Sequence, residues 1–242
     1  MKAVILAAGI GSRLLPYSRI VPKPLMPVEV NKDGSFRTII ERIIGQIVLA
    51  GISEILIVIN YSGEMIKEYI GSGHGCRIRY VVQEKLDGNA GAFYCAQPYL
   101  ADDDVLVTDC DNFFTDSAVF LKMKKEHQVG QEITVGVSKV RDIAKYAIIK
   151  LDKKGKPIDI YEKPTDEKTW GSLAKSGAMI FSGKISQLDK SISKAANGEY
   201  TTTQIVKYCI DNNFKAGLAR ISFTDIGTWD EYVKLLKKNL GT

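Results

Sequence analysis

The sequence predicts an α/β fold in which a largely parallel β-sheet carries helices on both faces. Three features of the chain predict it. Runs of strand length, such as Ala3 to Ala8, Ile55 to Ile59 and Val105 to Thr108, are apolar at successive positions rather than at alternate ones, with Thr108 as the one polar residue, which suits strands covered on both sides. Segments of helical period lie between these runs. Caps and glycines fall at the junctions. In such a sheet the binding crevice lies at the carboxyl ends of the strands.

Taken in order, Ala3 to Ala8 forms the first strand and runs into a glycine-rich turn. Thr38 to Gly51 forms a helix with Ile40, Ile43, Ile44, Ile47 and Val48 on one face; Thr38 and Glu41 make a capping box, and Gly51 stops it. Strands follow at Ile55 to Ile59, Ile78 to Gln83 and Val105 to Thr108, with helices near Gly63 to Ile70 and from Asn89. The second half has strands at Ile133 to Val137, Ala147 to Leu151, Ile158 to Glu162 and Ala178 to Phe181, with a hairpin tip around Gly155. Helices at Gln187 to Ala195 and Thr202 to Asp211 lead to a strand through Ala216 to Phe223. A last helix, Thr228 to Leu240, opens on a second capping box, Thr228 and Glu231. No repeat, low-complexity tract or linker interrupts the chain, so one domain spanning 1–242 is expected, in three parts over 1–130, 131–224 and 225–242, the last holding the final helix.

Composition bounds the function. The 242 residues are 45% hydrophobic and 25% charged with a net charge of +5, an ordinary soluble mixture rather than a disordered one. Lysines are scattered, and the Lys153-Lys154 and Lys237-Lys238 pairs read as solvated faces, so no nucleic-acid partner is expected. No uncharged apolar run approaches the ~20 residues of a bilayer span. Ala3 to Ile10 is too short and too quickly followed by Gly11, Ser12 and Arg13 to be a signal peptide. Cys76, Cys95, Cys110 and Cys209 are widely spaced and read as reduced thiols of a cytoplasmic protein. His74 and His127 stand outside every motif and read as surface or loop histidines.

Five motifs carry the chemistry. Leu6-Ala7-Ala8-Gly9-Ile10-Gly11-Ser12-Arg13 follows the first strand; its glycines let backbone N–H groups approach phosphate, and a helix N-terminus is expected after it. The third glycine of a dinucleotide fingerprint would stand at Leu14, and no Gly-Lys-Ser/Thr follows, so both common phosphate-loop patterns fail. A phosphate-clamping turn with Arg13 and a plain tight turn both remain. Lys23, between Pro22 and Pro24, is a cation on a stiff, extended backbone. Asp109-Cys110-Asp111-Asn112 ends the strand Val105 to Thr108, where carboxylates hold Mg²⁺ or cap a turn. Tyr161-Glu162-Lys163-Pro164 ends a later strand, and Thr224-Asp225-Ile226-Gly227-Thr228 joins the last strand to the last helix.

These five motifs in this order resemble those of the sugar-1-phosphate nucleotidylyltransferases, over Met1 to about Lys238. The resemblance implies a Rossmann-like three-layer mixed sheet of the nucleotide-diphospho-sugar transferase type with a sugar-binding subdomain. It implies Mg²⁺-dependent transfer from a nucleoside triphosphate to a sugar 1-phosphate, with pyrophosphate released. It assigns Leu6, Ala8, Gly9, Gly11, Ser12 and Arg13 to the nucleotide, Arg13 and Lys23 to catalysis, and Asp111 and Asp225 to the metal. Gln83 and Gly88 match the base-reading segment, where Gln is typical of uracil or thymine readers. Asp109 is an additional acid on the nucleotide side, either a supporting acid or a further metal ligand. Asn112, Tyr146, Glu162, Lys163 and Gly177 match the sugar-phosphate side, Gly177 as part of a loop. The chain departs from the usual pattern at Cys110 before Asp111, at Ala147 after Tyr146 and at Ser176-Gly177-Ala178. A bare catalytic domain is expected, without the left-handed β-helix that several relatives append; a homo-oligomer is allowed, and no membrane partner is implied.

The acceptor phosphate is already largely dianionic near neutral pH, since its second pKa is about 6. Direct in-line displacement without a covalent intermediate is therefore expected. Three rivals are a non-catalytic nucleotide-sugar binder, a cytidylyltransferase acting on a sugar or non-sugar phosphate such as phosphocholine, and a Rossmann dehydrogenase. The missing third glycine counts against the last.

Overall fold

Residues 1–31, 33–60, 63–72, 74–128 and 130–240 are described by the computed structural model. In chain order it contains β1 (Lys2–Leu6), β2 (Pro27–Val30), β3 (Phe36–Thr38), α1 (Ile39–Leu49), β4 (Glu54–Ile59), α2 (Glu64–Ile70), β5 (Arg77–Val82), α3 (Asn89–Ala96), β6 (Val105–Asp109), β7 (Asn112–Phe114) and α4 (Val119–His127). The second half adds β8 (Ile133–Lys139), β9 (Ala147–Leu151), β10 (Pro157–Glu162), α5 (Glu167–Trp170), β11 (Leu173–Phe181), α6 (Gly183–Ser186), α7 (Thr202–Asp211), β12 (Ala216–Arg220), β13 (Phe223–Asp225) and α8 (Trp229–Leu240).

The all-apolar runs form the centre of a nine-stranded mixed sheet in the order β10-β9-β11-β6-β1-β4-β5, with β8 also on β11 and β12 on β8. β1 pairs in parallel with both β4 and β6, and β4 with β5. β11 runs antiparallel to β6, β8 and β9. Alternate residues of the central strands enter two cores. Ala3, Ile5, Ile55 and Ile57 face the layer of α1, α2, α4 and α8, whereas Val4, Leu6, Val105 and Val107 face α3, α6 and α7. This is the expected three-layer α/β architecture, with strands apolar on both faces because both faces are covered.

Both capping boxes form. Thr38 Oγ1 accepts from the Glu41 N–H at 3.3 Å while Glu41 Oε2 accepts from the Thr38 N–H at 2.8 Å; Thr228 and Glu231 make the same pair at 3.4 and 3.0 Å. Such a cap stabilises its helix by about 1 kcal/mol.

Several expectations are corrected. The final strand is two, β12 and β13, which lie in different sheets; β13 pairs antiparallel with β7. The span Gln187 to Ala195 is a 3₁₀ turn over Lys190–Ser193, preceded by the short α6. β11 begins at Leu173, five residues before the expected start, so Gly177 lies inside a strand rather than in a loop. The hairpin β2–β3 and helix α4 were not legible from periodicity. His127 is buried in the last turn of α4, its Nδ1 3.1 Å from Thr134 Oγ1, whereas His74 sits in a turn at φ 77°. Among the described residues no helix is long and apolar enough to cross a membrane.

Candidate active site

The carboxyl ends of β1, β5 and β6 open on a cleft of about 430 Å³. The chain leaves β1 through Ala7, whose N–H donates to the Val58 carbonyl at 2.8 Å, and the Ala8 carbonyl accepts from Asn60 Nδ2 at 2.8 Å. These bonds anchor the glycine-rich turn to the sheet. Gly11 takes φ 67°, a left-handed conformation that favours glycine, and its carbonyl accepts from Ser18 Oγ at 3.0 Å. The expected α-helix does not follow. Prolines at 16, 22, 24 and 27 interrupt it, and the chain passes through 3₁₀ turns at Ser12–Leu14, Tyr17–Arg19 and Lys23–Leu25. Lys23 is thus in a tight turn, not on extended backbone. It is buried, and its Nζ lies 3.4 Å from an Asp111 oxygen.

All nine residues assigned to the nucleotide, Leu6, Ala8, Gly9, Gly11, Ser12, Arg13, Gln83, Gly88 and Asp109, line this cleft together with Lys23 and Asp111. Arg13 is exposed and makes no ion pair among the described residues, which leaves its guanidinium available to an anion. Gln83 is buried beneath the cleft with its N–H on the Ile59 carbonyl at 2.7 Å. Gly88 takes φ 111°, and a Cβ there would stand 2.1 Å from the Tyr200 carbonyl oxygen. Asn112, Tyr146, Glu162, Lys163, Gly177 and Asp225 lie outside the cleft lining.

The two acids furthest apart in sequence meet through the small β7–β13 sheet. Asn112 pairs with Asp225, and the Ile226 N–H donates to the Asp111 carbonyl at 2.8 Å. Burial, and then the nearby Asp111 carboxylate, push the Asp225 carboxyl up to about 6 against the opposing charges of Lys23 and Arg13. Asp225 Oδ1 is buried without a hydrogen-bond partner. Gly227 allows the crowding here, since a Cβ would stand 2.6 Å from an Arg13 guanidinium nitrogen and 2.9 Å from Asp225 Oδ2. An orphaned carboxylate oxygen beside a second acid fits a hard divalent cation. Among the described residues no three Asp, Glu, His or Cys side chains gather; Asp111 and Asp225 are the two carboxylates that would face such an ion. That is the usual protein share for Mg²⁺, which completes its octahedron with water and phosphate.

Next to these acids lies a buried polar network that the sequence reading reached only in part. Asn112 is buried; its Nδ2 donates to Asp111 Oδ1 at 2.9 Å and its Oδ1 accepts from the Gly177 N–H at 2.8 Å. A Cβ at Gly177 would stand 2.6 Å from Asp109 Oδ2, so this strand glycine makes room for the carboxyl. Burial and the neighbouring Asp111 push Asp109 up to about 7, while Lys175 and the Asn89 amide, 3.5 Å away, oppose this. Lys175 is buried on β11 and donates to Thr202 Oγ1 at 3.1 Å, which also accepts from Asn89 Nδ2 at 3.1 Å; burial lowers its ammonium pKa. Lys175 was missed, although a charge inside the apolar run Leu173 to Phe181 is the signal that could have found it. Burial also raises the Cys110 thiol, which keeps it protonated and inert.

On the far side, Lys163 is exposed and takes φ 50°, rare for a side chain of its size. Its N–H donates to the Tyr146 carbonyl at 2.9 Å, which holds the strained turn. Glu162 is exposed and accepts from Thr203 Oγ1 at 2.6 Å. Tyr146 packs edge-on against Phe223, ring centroids 5.9 Å apart, and so touches the strand that carries Asp225.

Comparison with known proteins identifies the family and the fold. The nucleotidyl transferase family profile matches residues 2–241. The chain is 29% identical over 219 residues to the low-salt glycan biosynthesis nucleotidyltransferase Agl11 of Haloferax volcanii, covering 88% of this chain and 58% of that protein. It is 29% identical over 213 residues to a glucose-1-phosphate thymidylyltransferase of Xanthomonas campestris, covering 87% and 70%. A solved structure of UDP-glucose pyrophosphorylase complexed with UDP-glucose superposes with a TM-score of 0.87 at 20% identity, over 99% of this chain and 98% of that one; at that identity the likeness speaks for the fold. The chain spans 58% of the Haloferax protein and 52% of the Methanococcus aeolicus bifunctional protein GlmU, to which it is 28% identical over 232 residues, 95% of its own length.

Proposed function

The chain belongs to the nucleotidyl transferase family, and from that premise we propose that it is a sugar-phosphate nucleotidylyltransferase joining UTP or dTTP to a sugar 1-phosphate. The observation that carries the reading is the single cleft in which the glycine turn, Arg13, Lys23 and Asp111 converge, with Asp225 brought against Asp111 by the β7–β13 pairing. In this reading residues 1–130 bind mainly the nucleotide, 131–224 mainly the sugar phosphate, and 225–242 complete the metal site.

An oxygen of the sugar phosphate attacks the α-phosphorus of the triphosphate. A new P–O bond forms, and the bond to the β-phosphate oxygen breaks in line, so pyrophosphate leaves with the electron pair. No general base is needed, because the attacking oxygen is already anionic. The barrier lies in bringing two polyanions together, and fixed positive charge lowers it. Lys23 is tethered in its turn beside Asp111, where its charge stands ready without reorganisation. Arg13 reaches from the glycine turn toward the leaving phosphates. Lys163 holds the acceptor phosphate, while Glu162 accepts from sugar hydroxyls and Tyr146 and Gly177 shape the pocket beside it. Asp111 and Asp225 would hold Mg²⁺, which supplies positive charge to the triphosphate when bound. The four cysteines are unpaired, which supports a reducing, cytoplasmic setting.

The test is pyrophosphate release over a panel of nucleoside triphosphates and sugar 1-phosphates, with Mg²⁺ and with chelator. Release with UTP or dTTP, dependent on both acceptor and metal, is the expected result. Release with CTP and a non-sugar phosphate alone would reject the substrate assignment, and no release with any pair would reject catalysis.

A further inference from the structure

Gln83 presents its side chain to the cleft, and its neighbours leave the amide one orientation. Its Nε2 donates to Asp87 Oδ1 at 3.2 Å and to the Gly88 carbonyl oxygen at 3.2 Å. A backbone carbonyl and a lysine-paired carboxylate only accept, so a flipped amide would set oxygen against oxygen. Both amide hydrogens are thereby used, and Oε1 has no donor among the described residues.

Asp87 is itself braced. Its Oδ2 lies 3.0 Å from Lys190 Nζ, its side chain is 11% exposed, and its carbonyl accepts from the Tyr200 N–H at 2.7 Å. The Lys190 ammonium sits 4.3 Å above the Tyr200 ring. Gly91, in the first turn of α3, lacks the Cβ that would stand 1.9 Å from Asp87 Oδ1. The carboxylate is therefore seated against the helix, with one oxygen left for Gln83.

We infer that Asp87, braced by Lys190, is a positioning residue that turns the Gln83 carbonyl oxygen toward the base and so sets which nucleobase the cleft prefers. The inference rests on the proposed base-reading role of Gln83. A lone acceptor pairs with an N–H, which uracil and thymine carry at N3. Cytosine carries a lone pair there and would meet acceptor with acceptor, an unpaired contact that a hydrogen-bonding site rejects strongly.

The test is equilibrium binding of UTP and CTP, with Mg²⁺ and without acceptor, by isothermal titration calorimetry. The wild-type chain is expected to bind UTP at least tenfold more tightly than CTP, and Gln83→Ala to abolish that ratio. Asp87→Asn places an NH₂ group where Gln83 needs an acceptor, and is expected to lower the ratio at least fivefold. Loss of affinity for both nucleotides in parallel, with the ratio unchanged, marks a merely structural role and overturns the inference. If the wild type shows no preference, or Gln83→Ala leaves the ratio intact, base reading by Gln83 is itself wrong and the inference falls with it. A ratio that collapses in Gln83→Ala but persists in Asp87→Asn rejects the positioning role alone. Should Asp87→Asn fail to fold, Lys190→Met at a half-exposed position carries the same test: a threefold fall supports the inference and an unchanged ratio overturns it.

Discussion

Removing the Asn112 amide should weaken the fold and the proposed metal site together, because one side chain serves both. Its Oδ1 is the acceptor for the Gly177 N–H and its Nδ2 steadies Asp111. Asn112 is buried, so in Asn112→Ala water does not readily replace it, and a buried donor left without a partner costs about 1–3 kcal/mol. Taking about 2 kcal/mol, and about 2–4 °C per kcal/mol for a chain of this size, the expected fall in Tm is about 4–8 °C. Differential scanning calorimetry on metal-free protein reads it directly. Turnover should fall at limiting Mg²⁺ and recover in part as Mg²⁺ is raised, because Asp111 is retained but no longer held. Asn112→Asp separates the two roles. It keeps an acceptor for Gly177 but sets a third carboxylate beside Asp111, so its loss of Tm should be reversed by Mg²⁺. A Tm for Asn112→Ala within about 1 °C of wild type would refute the reasoning.

Asp225→Asn keeps the shape but removes half of the carboxylate pair, and should reduce turnover at least a hundredfold; near-normal rates at saturating Mg²⁺ would take Asp225 out of the metal site. Lys163→Ala should raise the acceptor KM at least tenfold while changing the nucleotide KM little, and an unchanged acceptor KM would contradict its phosphate role. The Asp225 carboxyl, raised to about 6, holds a proton below that pH that a cation must displace. Affinity for Mn²⁺, measured by electron paramagnetic resonance, should therefore be level above pH 7 and fall about tenfold per pH unit below about 6; a flat profile down to pH 5 would remove Asp225 as a ligand.

The central strands were legible because burial on both faces leaves a signal at every position: Val4, Ile5, Leu56, Ile57, Leu106 and Val107 are all buried. Capped helices were legible for a local reason, since Thr38 with Glu41 and Thr228 with Glu231 bond within one turn. Short pieces whose stability comes from distant partners were not. β7 and β13 are three residues each, too short for any periodicity, and they exist by pairing across more than a hundred residues. The helix expected after the glycine turn failed because four prolines within 12 residues of chain outweighed the analogy with other phosphate loops.

The same division runs through the candidate site. Sequence by itself determined the ingredients: a glycine turn after the first strand, a lysine between prolines, acids at strand ends, and the family to which their order belongs. Each is a local pattern, set by backbone sterics or by neighbours along the chain. Only the tertiary structure decided what those ingredients face. It brought Asp225 onto Asp111, buried Lys175 beside Asp109, and seated Asp87 where it leaves Gln83 a single free oxygen. Charge and hydrogen bonding act through space over a few ångströms, and which groups come within that reach is settled by packing rather than by position in the chain.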